Sequence, residues 1–423
     1  MAYPIFGSDL DGDVKRGTGG GPRAAQRDAV MLERQAVTEI QSLSGMGILL
    51  LADFGEWGGT RTYVEQLLHF YRDHGARVVL ASRYEDPHGT IKALANELGF
   101  SFLRYSEIAP EAMGTATGQS SLTRARRLLF VAAESRGFRN FAAANGIDLI
   151  VVSAGQPGAF LGALKASSKS IYILHTYPHG WKHRWLGRFI FPRMIPKNTS
   201  IVTVSDFARR QITEQWHLKG RDKPVQRIYS TVGPTAAVRV RGGSPLQVLT
   251  VGATESYTDP LAWIEMAATV AEAMPRGAVR FTWVGSGSLL EECRRRATVL
   301  SDTGEVEFVG LLLNVASFYE DCDVYVQLSK VESLGLGVLD AFRRGIPCVV
   351  TNAGGLPEIV DNGVNGYVVS NRPGESAPDL LTRLLNDAQL RIEMGREALI
   401  KYEREFSSEE WADEMLRLHQ QNS

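Results

Sequence analysis

SKVESLGLGVLDAFRRGIPCVVTNAGGLPEIVDNGVNGYVV, residues 329–369, holds the densest chemistry of this 423-residue chain. A strand-like run, DVYVQLS (323–329), ends as it begins, a glutamate follows, and SLGLG opens a helical segment. Backbone N–H groups at such a helix start bind anions, and Gly335 and Gly337 let a ligand approach them closely. Glu332 and Asp340 stand at opposite ends of the element, so each carboxylate can accept hydrogen bonds from different hydroxyls of an extended ligand. A phosphate cradle with two hydroxyl acceptors describes a nucleotide-sugar site. A plain strand–loop–helix turn with a surface glutamate fits the same isolated fragment.

Outward from this stretch, the chain alternates buried strands with helical patterns. The amino half offers GILLLADF (47–54), ARVVLAS (76–82), FSFLRY (100–105), DLIVVS (148–153), SIYILH (170–175) and SIVTVS (200–205). Continuous apolar runs of this length suit strands covered on both faces of a parallel sheet. A glycine-rich turn, GEWGGT (55–60), follows the first of them, and a helical pattern extends from Leu122 to Ala144. The rhythm lapses between about 218 and 245, then restarts with LQVLTVG (246–252), VRFTWVG (279–285), VEFVG (306–310), PCVVT (347–351) and GYVV (366–369). Two doubly wound α/β units joined near residue 230 follow, with ligands expected at the carboxyl ends of the strands. The tail from Pro378 to Gln420 reads as helical, with Ser408 as a cap.

Composition narrows the class. Hydrophobic residues make up 44% and charged residues 22%, which excludes wholesale disorder. A formal net charge of -1 argues against a protein that coats nucleic acid. Cys293, Cys322 and Cys348 are too scattered for a disulfide framework or zinc site, so a reducing compartment is expected. No apolar run is long enough to span a bilayer, and no leader peptide is evident; a cytoplasmic protein, with peripheral membrane contact left open, is the expectation. Residues 1–44 read as a flexible, Gly-rich tail followed by an amphipathic helix. Asp9, Asp11 and Asp13 do not make a calcium loop, because Val14 and Gly20 stand where Gly and Glu are required.

The 329–369 stretch resembles the donor-site signature of retaining glycosyltransferases of the GT-B fold, the family 4 group that includes glycogen synthases and mannosyltransferases. That signature runs Glu, seven residues, Glu, a small-residue helix, Gly-x-Pro, a strand and a Gly-Gly-x-x-Glu turn. Here it reads Glu332, Asp340, Gly345-Ile346-Pro347, Gly354-Gly355 and Glu358. The resemblance implies an α/β GT-B fold, two Rossmann-like doubly wound domains facing across a cleft. It also implies an acceptor domain at 45–225, completed by 405–423, and a donor-binding domain at 240–404. The implied activity is a retaining hexosyl transfer from a nucleotide-diphosphate sugar, with no metal and no other cofactor. Glu332 would contact the transferred sugar, Asp340 the ribose, and the amides of Ser333, Leu334, Gly335 and Leu336 the diphosphate. Gly58 and Gly59 match the family's Gly-Gly turn after its first strand, and His175 its histidine at the cleft. SIVTVSDFARRQI resembles the family's serine corner at Ser205, and WVGSGSLLEE a weaker glycine turn.

One departure from the pattern bears on activity. Ala253 and Thr258 occupy the places where the family carries an Arg and a Lys that neutralise the leaving diphosphate. Arg61 and Lys330 are the nearest substitutes by sequence. The alternative reading is therefore a catalytically weak nucleotide-sugar-binding subunit that activates or anchors a protein partner; an epimerase ranks lower. Asp321 and Asp323 precede a strand, where a structural aspartate is expected rather than a metal ligand. From Leu149 through Ser205 there is no acidic residue, and WKHRWLGRFIFPRM (181–194) interleaves aromatics with cations. Lys182, Arg184, Trp185, Arg188 and Arg193 suit an anionic membrane surface or a phosphate-bearing acceptor. Inward-packed aromatics beneath solvated cations fit equally well. Nucleic acid has no other support.

Overall fold

The computed structural model describes residues 43–422, except 54–57, 84–85, 87–88, 110–123, 156–159, 168, 179–194, 219–223, 237–242, 301–305 and 370–375. The readings for the amino-terminal tail, its helix and the 181–194 segment, with Lys182, Arg184, Trp185, Arg188 and Arg193, lie outside the described residues.

The first sheet is built from β1 (Gly47–Ala52), β2 (Arg77–Ser82), β3 (Ser101–Arg104), β4 (Leu149–Ala154), β5 (Ser170–Leu174), β6 (Thr199–Thr203) and β7 (Gln226–Arg227). Helices α1 (Gly59–Asp73), α2 (Thr90–Glu97), α3 (Tyr105–Ile108), α4 (Arg124–Asn145), α5 (Leu161–Leu164) and α6 (Asp206–Gln215) connect them. The strand order is β3-β2-β1-β4-β5-β6-β7, parallel throughout. Every residue of β1, β4, β5 and β6 is buried, which is why these strands read as unbroken apolar runs. The short β7 lies within the segment read as a lapse in the rhythm; two residues carry no period for sequence to reveal.

The second sheet contains β8 (Leu246–Val251), β9 (Val279–Val284), β10 (Val306–Gly310), β11 (Val324–Gln327), β12 (Cys348–Thr351) and β13 (Gly366–Val369). Between them run α7 (Pro260–Ala273), α8 (Leu290–Leu300), α9 (Ala316–Asp321), α10 (Leu336–Phe342) and α11 (Leu356–Ile359). The order is β10-β9-β8-β11-β12-β13, again parallel. Each sheet winds outward in both directions from one central pair, β1/β4 in the first and β8/β11 in the second. The carboxyl ends of those pairs are where an open α/β sheet leaves a crevice.

Three helices close the chain: α12 (Ala377–Asn386), α13 (Ala388–Glu405) and α14 (Ser408–Gln420). The cap of α14 is Ser407, whose hydroxyl accepts the Glu410 N–H, and not Ser408, which already lies in the first turn. The last helix returns to the first sheet's helices. Trp411 meets Tyr63 edge-on with ring centroids 5.7 Å apart, and Tyr71 shares a 3.0 Å hydrogen bond with His419 Nε2. Beyond it, Ser200 donates to Asn422 at 3.0 Å.

Two connections therefore join the sheets, and they are fastened together. The Tyr402 hydroxyl, in α13, contacts Thr231 Oγ1 at 3.1 Å and donates to the Gly233 carbonyl at 2.5 Å. Phe406 packs against Tyr229 at 4.8 Å. Val204, at the end of β6, shares a buried cluster with Leu249, Tyr325, Phe342 and Leu356 of the second sheet's half.

Candidate functional site

The site grows from the end of β11. Gln327, its last residue, is polar where a central strand is otherwise apolar, and it is 8% exposed. Its Nε2 donates to Glu332 Oε2 at 2.6 Å, while the Ser333 N–H donates to Glu332 Oε1 at 3.0 Å. Both oxygens of Glu332 are thus held by neutral donors. Burial pushes its carboxyl above the usual range, and the N–H groups of Ser333 and Leu334 with Gln327 oppose that rise. The Gln327 amide oxygen has no hydrogen-bond partner.

Glycines make this loop sterically feasible. Gly354, at φ 58°, lies under the loop; a Cβ there would stand 1.6 Å from the Glu332 carbonyl oxygen, so no other residue fits. Gly355 donates its N–H to that same carbonyl at 3.3 Å. Gly335, at φ 112°, turns the chain into α10. Thr351 ties the end of β12 to the Ser329 carbonyl at 2.6 Å.

The first sheet meets this loop. Gly59 opens α1 so close to Leu336 that a Cβ would come within 3.0 Å of Leu336 Cδ1. The Gly58–Gly59 turn and the 333–336 loop, far apart in sequence, are therefore neighbours. Val331 packs against the first sheet's core, and the negative charge of Glu332 reaches the Tyr177 hydroxyl. Desolvation first, and that charge second, raise the Tyr177 phenol.

His175 follows β5. Its Nε2 shares a 2.8 Å hydrogen bond with Ser153 Oγ, and its ring lies edge-on to Tyr63 with centroids 4.6 Å apart. Desolvation lowers its pKa to about 3, so the imidazole is neutral at physiological pH.

Asp340 occupies different surroundings. Arg343 and Arg344 both place guanidinium groups on its Oδ1. Arg344 also covers the Tyr319 ring at 5.0 Å, and Arg343 donates to the Pro234 carbonyl at 3.0 Å. Asp340 is thereby tied through Oδ1 toward the connection between the sheets.

The substitute cations are engaged elsewhere. Arg61 is buried in ion pairs with Asp86 at 3.3 Å and Glu65 at 3.5 Å. Lys330 pairs with Asp259 at 2.9 Å and remains largely exposed. At the positions of the missing pair, the Thr258 hydroxyl closes a turn without a cation, donating to the Ala253 carbonyl at 2.6 Å and accepting the Glu255 N–H. Tyr257, in that turn, accepts the Lys330 N–H at 2.8 Å and feels the charge of Glu332.

Tyr177, Tyr257 and Gln327 are neighbours of Glu332 that sequence reasoning missed. The signal for Gln327 was a lone amide inside an apolar strand; Tyr177 stood two residues after His175. Among the described residues, no group of three His, Cys, Asp or Glu side chains could hold a metal ion. Cys293, Cys322 and Cys348 are buried free thiols, and no described helix is long and apolar enough to cross a membrane.

Residues 238–401 match the family model of glycosyl transferases group 1. The match takes in β8 to β13 and the whole Glu332–Glu358 stretch. Over 104 residues, a quarter of the chain, the sequence is 36% identical to N-acetyl-alpha-D-glucosaminyl L-malate synthase of Bacillus anthracis, covering 27% of that enzyme. It is 30% identical over 176 residues to D-inositol 3-phosphate glycosyltransferase of Corynebacterium urealyticum, covering 40% of this chain and 41% of the relative. These alignments span well under half of either relative. The crystal structure of Anabaena HepE in complex with UDP and glucose superposes on 89% of this chain and 99% of its own, with a TM-score of 0.67 and 18% identity. That likeness concerns the fold. The fold is GT-B, and the stretch that matches the group 1 model lies in its second half.

Proposed function

We propose that the protein transfers a sugar from a nucleotide-diphosphate sugar to an acceptor with retention of configuration. The observation that carries this reading is Glu332: a half-buried carboxylate held only by neutral donors, at the central strand pair of the group 1 domain, with the first sheet's Gly59 and Tyr177 facing its loop. Such a carboxylate keeps lone pairs for the hydroxyls of a bound sugar. Asp340 would accept ribose hydroxyls on Oδ2, its geometry fixed by two guanidiniums that compensate for a side chain one methylene shorter than Glu. The amides of Ser333 to Leu336, with Gly58 and Gly59 opposite, would hold the diphosphate. His175 would line the reacting centre as a neutral imidazole. The incoming hydroxyl would attack from the face that the diphosphate leaves.

A second reading has its own support. The cation-free turn at Ala253–Thr258, which carries the anionic Glu255, and the engagement of Arg61 and Lys330 in ion pairs leave the leaving diphosphate short of positive charge. A subunit that binds the donor and serves a partner, with weak turnover of its own, would have these features. The acceptor, lipid-linked or otherwise anionic, would approach from the first sheet's half. A panel of UDP-, GDP- and ADP-sugars with release of nucleoside diphosphate as the signal separates the readings. Turnover that disappears in Glu332→Ala supports the transferase; tight donor binding with no turnover toward candidate acceptors supports the binding subunit.

A further inference from the structure

Glu358 lies three residues beyond the Gly354–Gly355 turn that carries Glu332, and its carboxylate crosses to the other half of the molecule. Oε1 accepts the Phe207 N–H at 2.6 Å, and Oε2 accepts the Asp206 N–H at 2.8 Å. These are the first two N–H groups of α6; the Ser205 hydroxyl accepts the next, from Ala208, at 3.1 Å. Oε2 also accepts the Tyr229 hydroxyl at 3.0 Å, from the connection between the sheets. A carboxylate of the group 1 domain thus completes the amino terminus of a helix in the first domain, where the helix dipole favours negative charge.

The contacts form a closed circuit. Phe207 packs edge-on against Tyr177 with ring centroids 4.9 Å apart, and Tyr177 lies in the field of Glu332. Glu332 rests on Gly355, whose turn leads back to Glu358. Displacing α6 from Glu358 would therefore shift the Tyr177 wall relative to the Glu332 loop.

We propose that Glu358 is an interdomain latch that holds the first domain against the donor loop, acting as a positioning residue for Glu332 through α6, Phe207 and Tyr177. The latch itself is independent of the reaction; its positioning role rests on the transfer reading above. A structural glutamate buried within one domain would stabilise the fold without coupling the halves. Among the described residues, the three donors to the Glu358 carboxylate all lie in the other half or in the connection.

Amide hydrogen exchange over 204–210, measured alongside initial rates with a UDP-sugar panel, tests both parts. Glu358→Gln replaces one acceptor by a donor facing an N–H, and exchange over 204–210 should accelerate by about tenfold to a hundredfold. Peptides from β1 and β8 should exchange as before. Tyr229→Phe, which leaves the two amide bonds in place, should give a smaller increase. Glu358→Asp keeps the charge and should recover part of the protection. In Glu358→Gln, kcat should fall more than the affinity for UDP alone. Unchanged exchange in both Glu358→Gln and Tyr229→Phe overturns the latch. Accelerated exchange with unaltered kcat and KM overturns the positioning role. Accelerated exchange in a protein whose wild type turns over no donor supports the latch and sinks the transfer reading instead.

Discussion

Glu332 and Asp340 belong to one sequence signature, yet the fold gives them opposite environments. Glu332 sits in a loop with an amide and a backbone N–H on its two oxygens. Asp340 sits in a helix with two guanidiniums on one oxygen. Neutral donors orient a carboxylate while leaving its charge uncompensated for a ligand; cations fix its position and consume much of its field. On the transfer reading proposed above, the first environment suits a group that would respond to the reacting sugar, the second a group that would hold an unreactive part of the donor.

The most severe test of that contrast replaces each carboxylate by its amide. On the transfer reading, Glu332→Gln should reduce kcat by about a hundredfold or more, because an acceptor-only charge proposed to lie near the transferring sugar is lost. Asp340→Asn should mainly raise KM, by roughly tenfold, the cost of a hydrogen bond to a charged acceptor. Equal losses of kcat in both variants would erase the distinction. A pH profile sharpens it. Glu332 is raised by burial and held down partly by Gln327, so Gln327→Leu should raise it further. If the ionised form is required, the acid limb of kcat/KM moves to higher pH; an unmoved limb removes Glu332 from that titration.

Stability probes the cationic side. Arg344→Leu removes one ion pair and the Tyr319 contact from a nearly buried position. It should cost about 2 kcal/mol, seen as a melting temperature lower by several degrees, with UDP affinity altered more than kcat. The smallest effect concerns neutral groups far from the loop. Burial lowers His419 to about 4, while an unfolded histidine titrates near 6.5. Its contribution is complete above pH 6.5 and is lost as the pH falls toward 4, because the unfolded chain takes up the proton first. His419→Gln should cost about 1 kcal/mol at neutral pH through the Tyr71 bond and should flatten the acid side of the stability curve. A curve as steep as that of the wild type would assign the slope to other groups.

Much of this architecture was legible because buried parallel strands must be apolar throughout. The runs at 47–54 and 148–153 announced β1 and β4 for that reason, with ends shifted by a residue or two. The two-residue β7 could not announce itself. Glycines marked the loop because they are required there: no Cβ fits at Gly354. What sequence withheld is long-range pairing. Arg61, beside the Gly58–Gly59 turn, and Lys330, beside Glu332, read as substitute cations, but their partners Asp86 and Asp259 come from other segments that only the fold brings near. Tyr177 likewise acquires meaning only when the segments that follow β5 and β11 come together.

The fastening at Tyr402 has a consequence for dividing the molecule. The chain passes from the first half to the second near residue 230 and returns after α13, so a single break in either passage leaves the halves tethered by the other. Residue 401, where the group 1 match ends, is immediately before the tyrosine whose hydroxyl staples the two passages. A chain ending at residue 401 would keep the passage near residue 230 and the Glu358 contacts, but would lose the Tyr402 staple and the packing of Trp411 and His419 on the first sheet's helices.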